Sequence, residues 1–300
     1  MCIAFFTLDH PDYALILCSN RDEGLARPTK PACFHSFGGQ LDPNILSGID
    51  VQAGGTWLGL SRTGKLALLT NITEQLNTTF ASSRGSLVSS FLTLPPSHAA
   101  SLEDDVRQVV PPDAHYAGFN LLLLAPTRPP HASPTLAFDA LYVTNHGAGG
   151  PITYRALTDA QRHRAGLSNG IDGHGADEWP KVQHGVRALD ALLGSLPPNT
   201  SDDQLTERLF DLLTWRSSEP PRHRSELRNT IQAEPIVIDD RLYGTRLSTV
   251  VLVKRSGEVV FTERDRWMLT EQGRSIMADP SSQRVFRFEM ERGELSTWSM

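Results

Sequence analysis

The chain has 300 residues, 39% of them hydrophobic and 21% charged, with 23 glycines and 20 prolines, the composition of a turn-rich folded protein. A formal net charge of −6 and a pI near 5.9 leave no basic excess of the kind that selects nucleic acid or an anionic membrane, so neither is expected as a partner. No window approaches the ~20 apolar residues that span a bilayer, and Ile3 to Phe6 lacks the basic flank of a signal peptide, so a protein of the cytoplasm without a transmembrane segment is expected.

The chain opens with two β-prone runs, Cys2 to Leu8 and Tyr13 to Ser19, joined by the turn formers Asp9-His10-Pro11-Asp12, which predicts an antiparallel hairpin. Ser19-Asn20-Arg21-Asp22-Glu23 then reads as a dense polar turn ending the second strand. A second hairpin is predicted from Thr56 to Leu60 and Leu66 to Thr70, and further strands from Phe119 to Leu124 and Leu141 to Thr144. Trp179, Val182, Val186, Leu189 and Leu192-Leu193 recur at helical spacing, with Pro180 suited to a first turn and Gly194 to a stop. Leu205, Leu209 and Leu212-Leu213 repeat the pattern after Ser201-Asp202. Strands return at Ile236 to Ile238, Ser248 to Val253 and Glu258 to Glu263, the last two as a hairpin over Lys254 to Gly257. The proline-rich stretch Ala125 to Pro134 and the polar stretch Ser217 to Asn229 read as exposed loops. One domain over residues 1–300 is expected, because strands on both sides of the helical middle complete one assembly.

Three cysteines, Cys2, Cys18 and Cys33, are an odd number without CxxC spacing, which suits free thiols in a reducing compartment. The sequons at Asn71, Asn77 and Asn199 then read as coincidence. No histidine pattern suggests a metal site, and no cofactor is expected. Cys2 differs from the other two in one chemical respect. Once Met1 is removed, its own α-amine, with an ordinary pKa of ~7.7–8.0, can take the thiol proton near neutral pH. The alternative is a small buried residue opening a strand. Arg21 and Asp22 would stand beside Cys2 across the hairpin and offer the cation and carboxylate that acyl transfer uses; the alternative is a solvated charged turn. Gly54-Gly55 and Gly59 read as backbone-shape residues and Trp57 as core.

Asn20-Arg21-Asp22-Glu23 resembles the signature of the NRDE family, also called the transport and Golgi organisation protein two family. Six further elements follow in order: Gly54-Gly55-Thr56-Trp57-Leu58-Gly59, Leu69-Thr70-Asn71, Gly118-Phe119-Asn120-Leu121-Leu122, Gly166-Leu167-Ser168-Asn169, Trp179-Pro180-Lys181-Val182 and Tyr243-Gly244-Thr245-Arg246. Leu247 departs from the pattern, where a small hydroxyl residue is expected, and residues 76–115 and 216–229 carry little family signal. The resemblance implies an α+β fold, a four-layer αββα sandwich of two antiparallel sheets like that of N-terminal-nucleophile hydrolases. By analogy with N-terminal cysteine acylases it implies Cys2 as nucleophile, Arg21 and Asp22 as the near polar pair, Asn71 and Asn169 as oxyanion- or amine-binding amides, and Arg246 as a site cation. Without it, Asn71 could end a strand, Asn169 could serve a turn, and Arg246 could face solvent.

The family is linked to Golgi organisation, secretion, haem movement and lipid and acyl-CoA homeostasis. Two functions therefore stand: a cysteine hydrolase or acyltransferase acting on an amide or thioester, and a non-catalytic protein that binds or carries haem or lipid. The implied partner is a small acyl, lipid or haem ligand. Besides the cytoplasm, a Golgi-peripheral or a mitochondrial pool is compatible with either.

Overall fold

The computed structural model describes residues 2–39, 43–74, 79–95, 101–111, 114–127 and 135–291. Met1, the Asn77 sequon and most of the proline-rich stretch before residue 135 lie outside them.

The chain begins with β1 (Ile3–Thr7) and β2 (Tyr13–Gly24), then runs through β3 (Thr29–His35), β4 (Ile45–Asp50), β5 (Leu58–Ser61) and β6 (Leu66–Asn71). Two helices follow, α1 (Arg84–Thr93) and α2 (Leu102–Val109), and then β7 (Phe119–Pro126), β8 (Phe138–Thr144) and β9 (Thr153–Ala156). The short α3 (Asp159–His163) leads into β10 (Ala165–Leu167), α4 (Pro180–Gly194) and α5 (Asp202–Leu212). The remainder is β11 (Ile236–Ile238), β12 (Arg241–Lys254), β13 (Glu258–Asp265), the small pair β14 (Trp267–Leu269) and β15 (Ser275–Met277), and β16 (Arg284–Glu289).

These strands form two seven-stranded sheets, β10-β1-β2-β12-β13-β16 with β11 beside β12, and β3 through β9 in chain order. All described pairings are antiparallel. The period-two alternation of a strand divides the core into layers. Ala4, Phe6, Leu15 and Leu17 point into a core between the sheets, where they meet Leu46, Leu60, Leu68 and Leu122. Their neighbours Ile3, Phe5, Ile16 and Cys18 point the other way, against Val182, Leu189, Leu205 and Leu209 of α4 and α5. Leu87, Phe91 and Val106 of α1 and α2 cover the far face of the second sheet against Leu69, Leu121 and Leu141. The layers thus run helix, sheet, sheet, helix, the four-layer αββα sandwich that the resemblance implies.

All three predicted hairpins and both predicted helices are present, and α5 begins at a capping box between Ser201 and Gln204. Two expectations are corrected. The Asn20 to Glu23 segment is strand, not turn, because β2 is paired on both sides, Asn20 with Ile3 of β1 and with Ser248 of β12. The region after Asn71 holds two helices that the sequence reading missed. Their stretch is serine-rich, and serine competes for backbone hydrogen bonds and blurs an apolar stripe.

Gly185 lets α4 lie flat on the sheet: a Cβ there would fall 1.9 Å from Cζ of Phe5. Gly185→Val is expected to cost about 1–3 kcal/mol through overpacking, read as a lower urea midpoint with an unchanged slope. A wild-type midpoint would show that the layer yields.

Candidate functional site

Strand parity aims the first functional groups. Cys2 continues the alternation of Ala4 and Phe6, and Arg21 that of Leu15 and Leu17, so both face the cleft between the sheets. Asn20 and Asp22 face the helical layer, where Asn20 donates through Nδ2 to the carbonyls of Leu213 and Ile231 and accepts from Ser248. Asn20 is therefore a buried strut between sheet and helices.

Cys2 is partly buried and lines two lobes of a cavity, each of about 110 Å³. Asp22, Asn71 and Arg84 line both lobes. The first lobe continues past Arg21, Arg27 and Trp57, and the second past Asn169, Arg224 and Tyr243. The thiol donates to the backbone carbonyl of Asp22 at 3.8 Å, a long contact in keeping with a weak donor. Burial is the main cause that pushes the Cys2 thiol up from its ordinary range, and the Asp22 charge adds to it. The thiol is therefore neutral near pH 7 and requires a base to become a nucleophile.

The surroundings of Cys2 are tightly held. Its carbonyl accepts from Ser168 Oγ at 2.9 Å and from Lys181 Nζ at 3.5 Å. Lys181 is wholly buried at the start of α4, and desolvation lowers its pKa to about 8 against the opposing pull of Asp22 and Cys2. The Asp22 carboxylate accepts from Thr245 Oγ1 at 2.6 Å, and its backbone carbonyl accepts from the Tyr243 hydroxyl at 2.7 Å. Asn169 Nδ2 donates to the carbonyl of Asn71, which ties the end of β10 to the end of β6 and closes the cleft between the two sheets. Thr70 Oγ1 and Asn120 Nδ2 both donate to the carbonyl of Ser168 and hold that junction from the second sheet.

Arg21 is 5% exposed and lies 4.0 Å above the ring of Trp57. Its Nη1 is buried without a hydrogen-bond partner. Burial lowers its pKa, while the negative charges of Glu23 and Asp50 oppose that shift.

Residues 1–268 match the Transport and Golgi organisation 2 family. The mouse and human Transport and Golgi organization 2 homologs are each 34% identical over 283 residues, covering 88% of this chain and 92% of theirs. The Drosophila melanogaster Transport and Golgi organization protein 2 is 25% identical, covering 91% of this chain and 95% of its own. The chain belongs to this family. Among solved structures it is similar to a Caenorhabditis elegans N-acylethanolamine-hydrolyzing acid amidase ortholog, with TM-score 0.47 and 12% identity over 84% of this chain and 92% of that one. It is also similar to a variant of conjugated bile acid hydrolase from Clostridium perfringens, with TM-score 0.48 and 9% identity over 97% of each chain.

In this family member, five of the six expected site residues, Cys2, Arg21, Asp22, Asn71 and Asn169, lie along the one cavity. Arg246 does not line either lobe. It is the extra residue of a β-bulge, since Thr245 pairs with Asp22 and Leu247 with Arg21, and the bulge sends its guanidinium to the backbone carbonyl of Arg27. Leu247, where a hydroxyl is expected, is buried beside that bulge. Trp57, read as core, is a partly buried cavity wall. The Ser217 to Asn229 stretch, read as an exposed loop, contains a 3₁₀ turn from which Arg224 reaches the second lobe.

Arg84, which lines both lobes, and Lys181, which is buried behind them against the Cys2 carbonyl, are cations that the sequence reading passed over. A signal existed for Lys181: a lysine directly after the proline that starts a helix opposes the helix dipole, so something other than helix stability keeps it there. Arg84 likewise occupies the first turn of α1, inside a segment whose helix was missed.

Among the described residues, no group of three or more histidine, cysteine or acidic side chains could hold a metal ion. No helix among them is long and apolar enough to cross a membrane.

Proposed function

We propose that the chain is an N-terminal cysteine hydrolase or acyltransferase that acts on a small amide or thioester. The observation that carries this reading is the Cys2 thiol at the junction of two lobes lined by polar and cationic groups. Removal of Met1 frees the α-amine of Cys2. That amine takes the Sγ proton as sulfur bonds to the substrate carbonyl carbon, and the carbonyl oxygen becomes an oxyanion. Asn71 and Asn169 are the amides placed to stabilise that charge, and Arg21 supplies positive potential from the same face of the sheet. Collapse of the intermediate breaks the carbon–nitrogen or carbon–sulfur bond, and the ammonium returns its proton to the leaving group. Water, or an acceptor amine, then cleaves the thioester to Cys2 by the reverse route. Asp22 anchors the turnover geometry through its contacts with Cys2, Thr245 and Tyr243.

The size of the lobes supports a small acyl substrate more than haem. Sites that enclose drug-sized ligands measure roughly 300–1,000 Å³, well above either lobe, and among the described residues no histidine lines them as an axial ligand would. The names of the relatives support a role connected with Golgi organisation in the cell.

The test is release of a chromogenic leaving group from a panel of short acyl anilides and acyl thioesters. Turnover by the wild type and its loss in a folded Cys2→Ala variant is the expected outcome. Turnover that survives Cys2→Ala would assign the chemistry elsewhere.

A further inference from the structure

The first lobe contains an arrangement that asks for more than a share in oxyanion stabilisation. The Arg21 guanidinium is 5% exposed, its Nη1 has no hydrogen-bond partner, and no ion pair of Arg21 is present among the described residues. An unpaired buried cation is costly, so a charged partner is expected from outside the chain. The nearby carboxylates are held elsewhere. Asp50 is paired with Arg27 at 2.7 Å, Asp22 accepts from Thr245 on the opposite face of the sheet, and Glu23 accepts from the backbone of Gly24.

A second feature points to the same lobe. Ser83, Arg84 and Gly85, the start of the ten-residue α1, form part of its wall. Ser83 makes no side-chain capping hydrogen bond, and the first turn holds no acidic residue to complement the helix dipole. Gly55 brings this helix start close: a Cβ on Gly55 would fall 2.4 Å from the carbonyl carbon of Gly85, so only glycine lets the two backbones meet. The uncapped positive end of a helix and an unpartnered guanidinium, braced on Trp57, therefore face one small lobe.

We infer that the first lobe binds a carboxylate carried by the substrate, so that the preferred substrates are small amides or thioesters bearing one negative charge. Arg21 and Arg84, with the carboxylates of Asp22, Glu23 and Asp50 in the same wall, leave room for a monoanion rather than a polyphosphate, and a planar guanidinium edge suits a carboxylate. The inference rests on the reading of this cavity as the substrate site.

Binding is measured by calorimetry in the Cys2→Ala protein, with N-acetylglycine and its neutral isostere N-acetylglycinamide as probes. The carboxylate is expected to bind at least about tenfold more tightly, and Arg21→Met to abolish that preference; tenfold corresponds to about 1.4 kcal/mol. The comparison of the two probes in one protein needs no folded Arg21 variant. Equal affinities, or no binding of either probe, would overturn the inference. Because the protein lacks the thiol, carboxylate preference alongside a wild type without turnover would sink the hydrolase reading and leave the anion site standing.

Discussion

Protein in which the Cys2 α-amine is blocked, by retained Met1 or by acetylation, is expected to form acyl-enzyme at least about a hundredfold more slowly than protein with a free Cys2. The size follows from the role. A positioned general base contributes about 10²–10⁴-fold, and among the described residues no histidine lines the cavity to replace it. Burial and the Asp22 charge raise the thiol's pKa, so little spontaneous thiolate is present near pH 7 to sustain a bypass. The comparison is a stopped-flow measurement of a single acylation event in the two forms, with circular dichroism to show both folded. Equal rates would remove the amine from the mechanism.

The second large effect concerns Lys181. Its folded pKa is about 8 against an ordinary 10.5, lowered first by burial. The folded state therefore releases this proton at lower pH than the unfolded state does. Between pH 8 and 10.5 the unfolded chain binds more protons at this position, and stability at the site rises with pH. Below pH 8 the full cost of the buried charge is present. Across the window the gain reaches about 3 kcal/mol, one pKa unit being about 1.4 kcal/mol. Urea unfolding of wild type and Lys181→Met at pH 7.5 and pH 10 isolates the effect, because other titrating groups are shared by the two proteins. The wild type is expected to gain on the variant as pH rises. Parallel curves would mean that Lys181 titrates like a solvated lysine.

The layer order was legible only through the family motifs, since Ile3, Ala4, Phe5 and Phe6 are all apolar and name no face, whereas the spacing of Val182, Leu189 and Leu193 marks the stripe that α4 buries. The motifs and the chain start also named five of the residues that line the cavity, Cys2, Arg21, Asp22, Asn71 and Asn169. The turn expected at Asn20 to Glu23 was a strand because pairing with β12, 228 residues away at Ser248, outweighs local polarity. Pairing at that distance leaves no trace in a local window. The same pairing contains the bulge at Arg246, which turns that side chain toward Arg27, and no spacing rule announces a bulge. The cations Lys181 and Arg84 entered the site through tertiary placement of two helix starts, one of which serine content concealed.

The proposed chemistry begins at Cys2 as an N-terminal nucleophile. Intact-mass measurement of protein purified from its own kind of cell, before and after incubation with short acyl thioesters and N-acyl amides, addresses that directly. The expected result is a species lacking Met1 that gains one acyl group, loses it with time, and gains none as Cys2→Ala. Fully retained Met1 with no adduct from any acyl donor would contradict it.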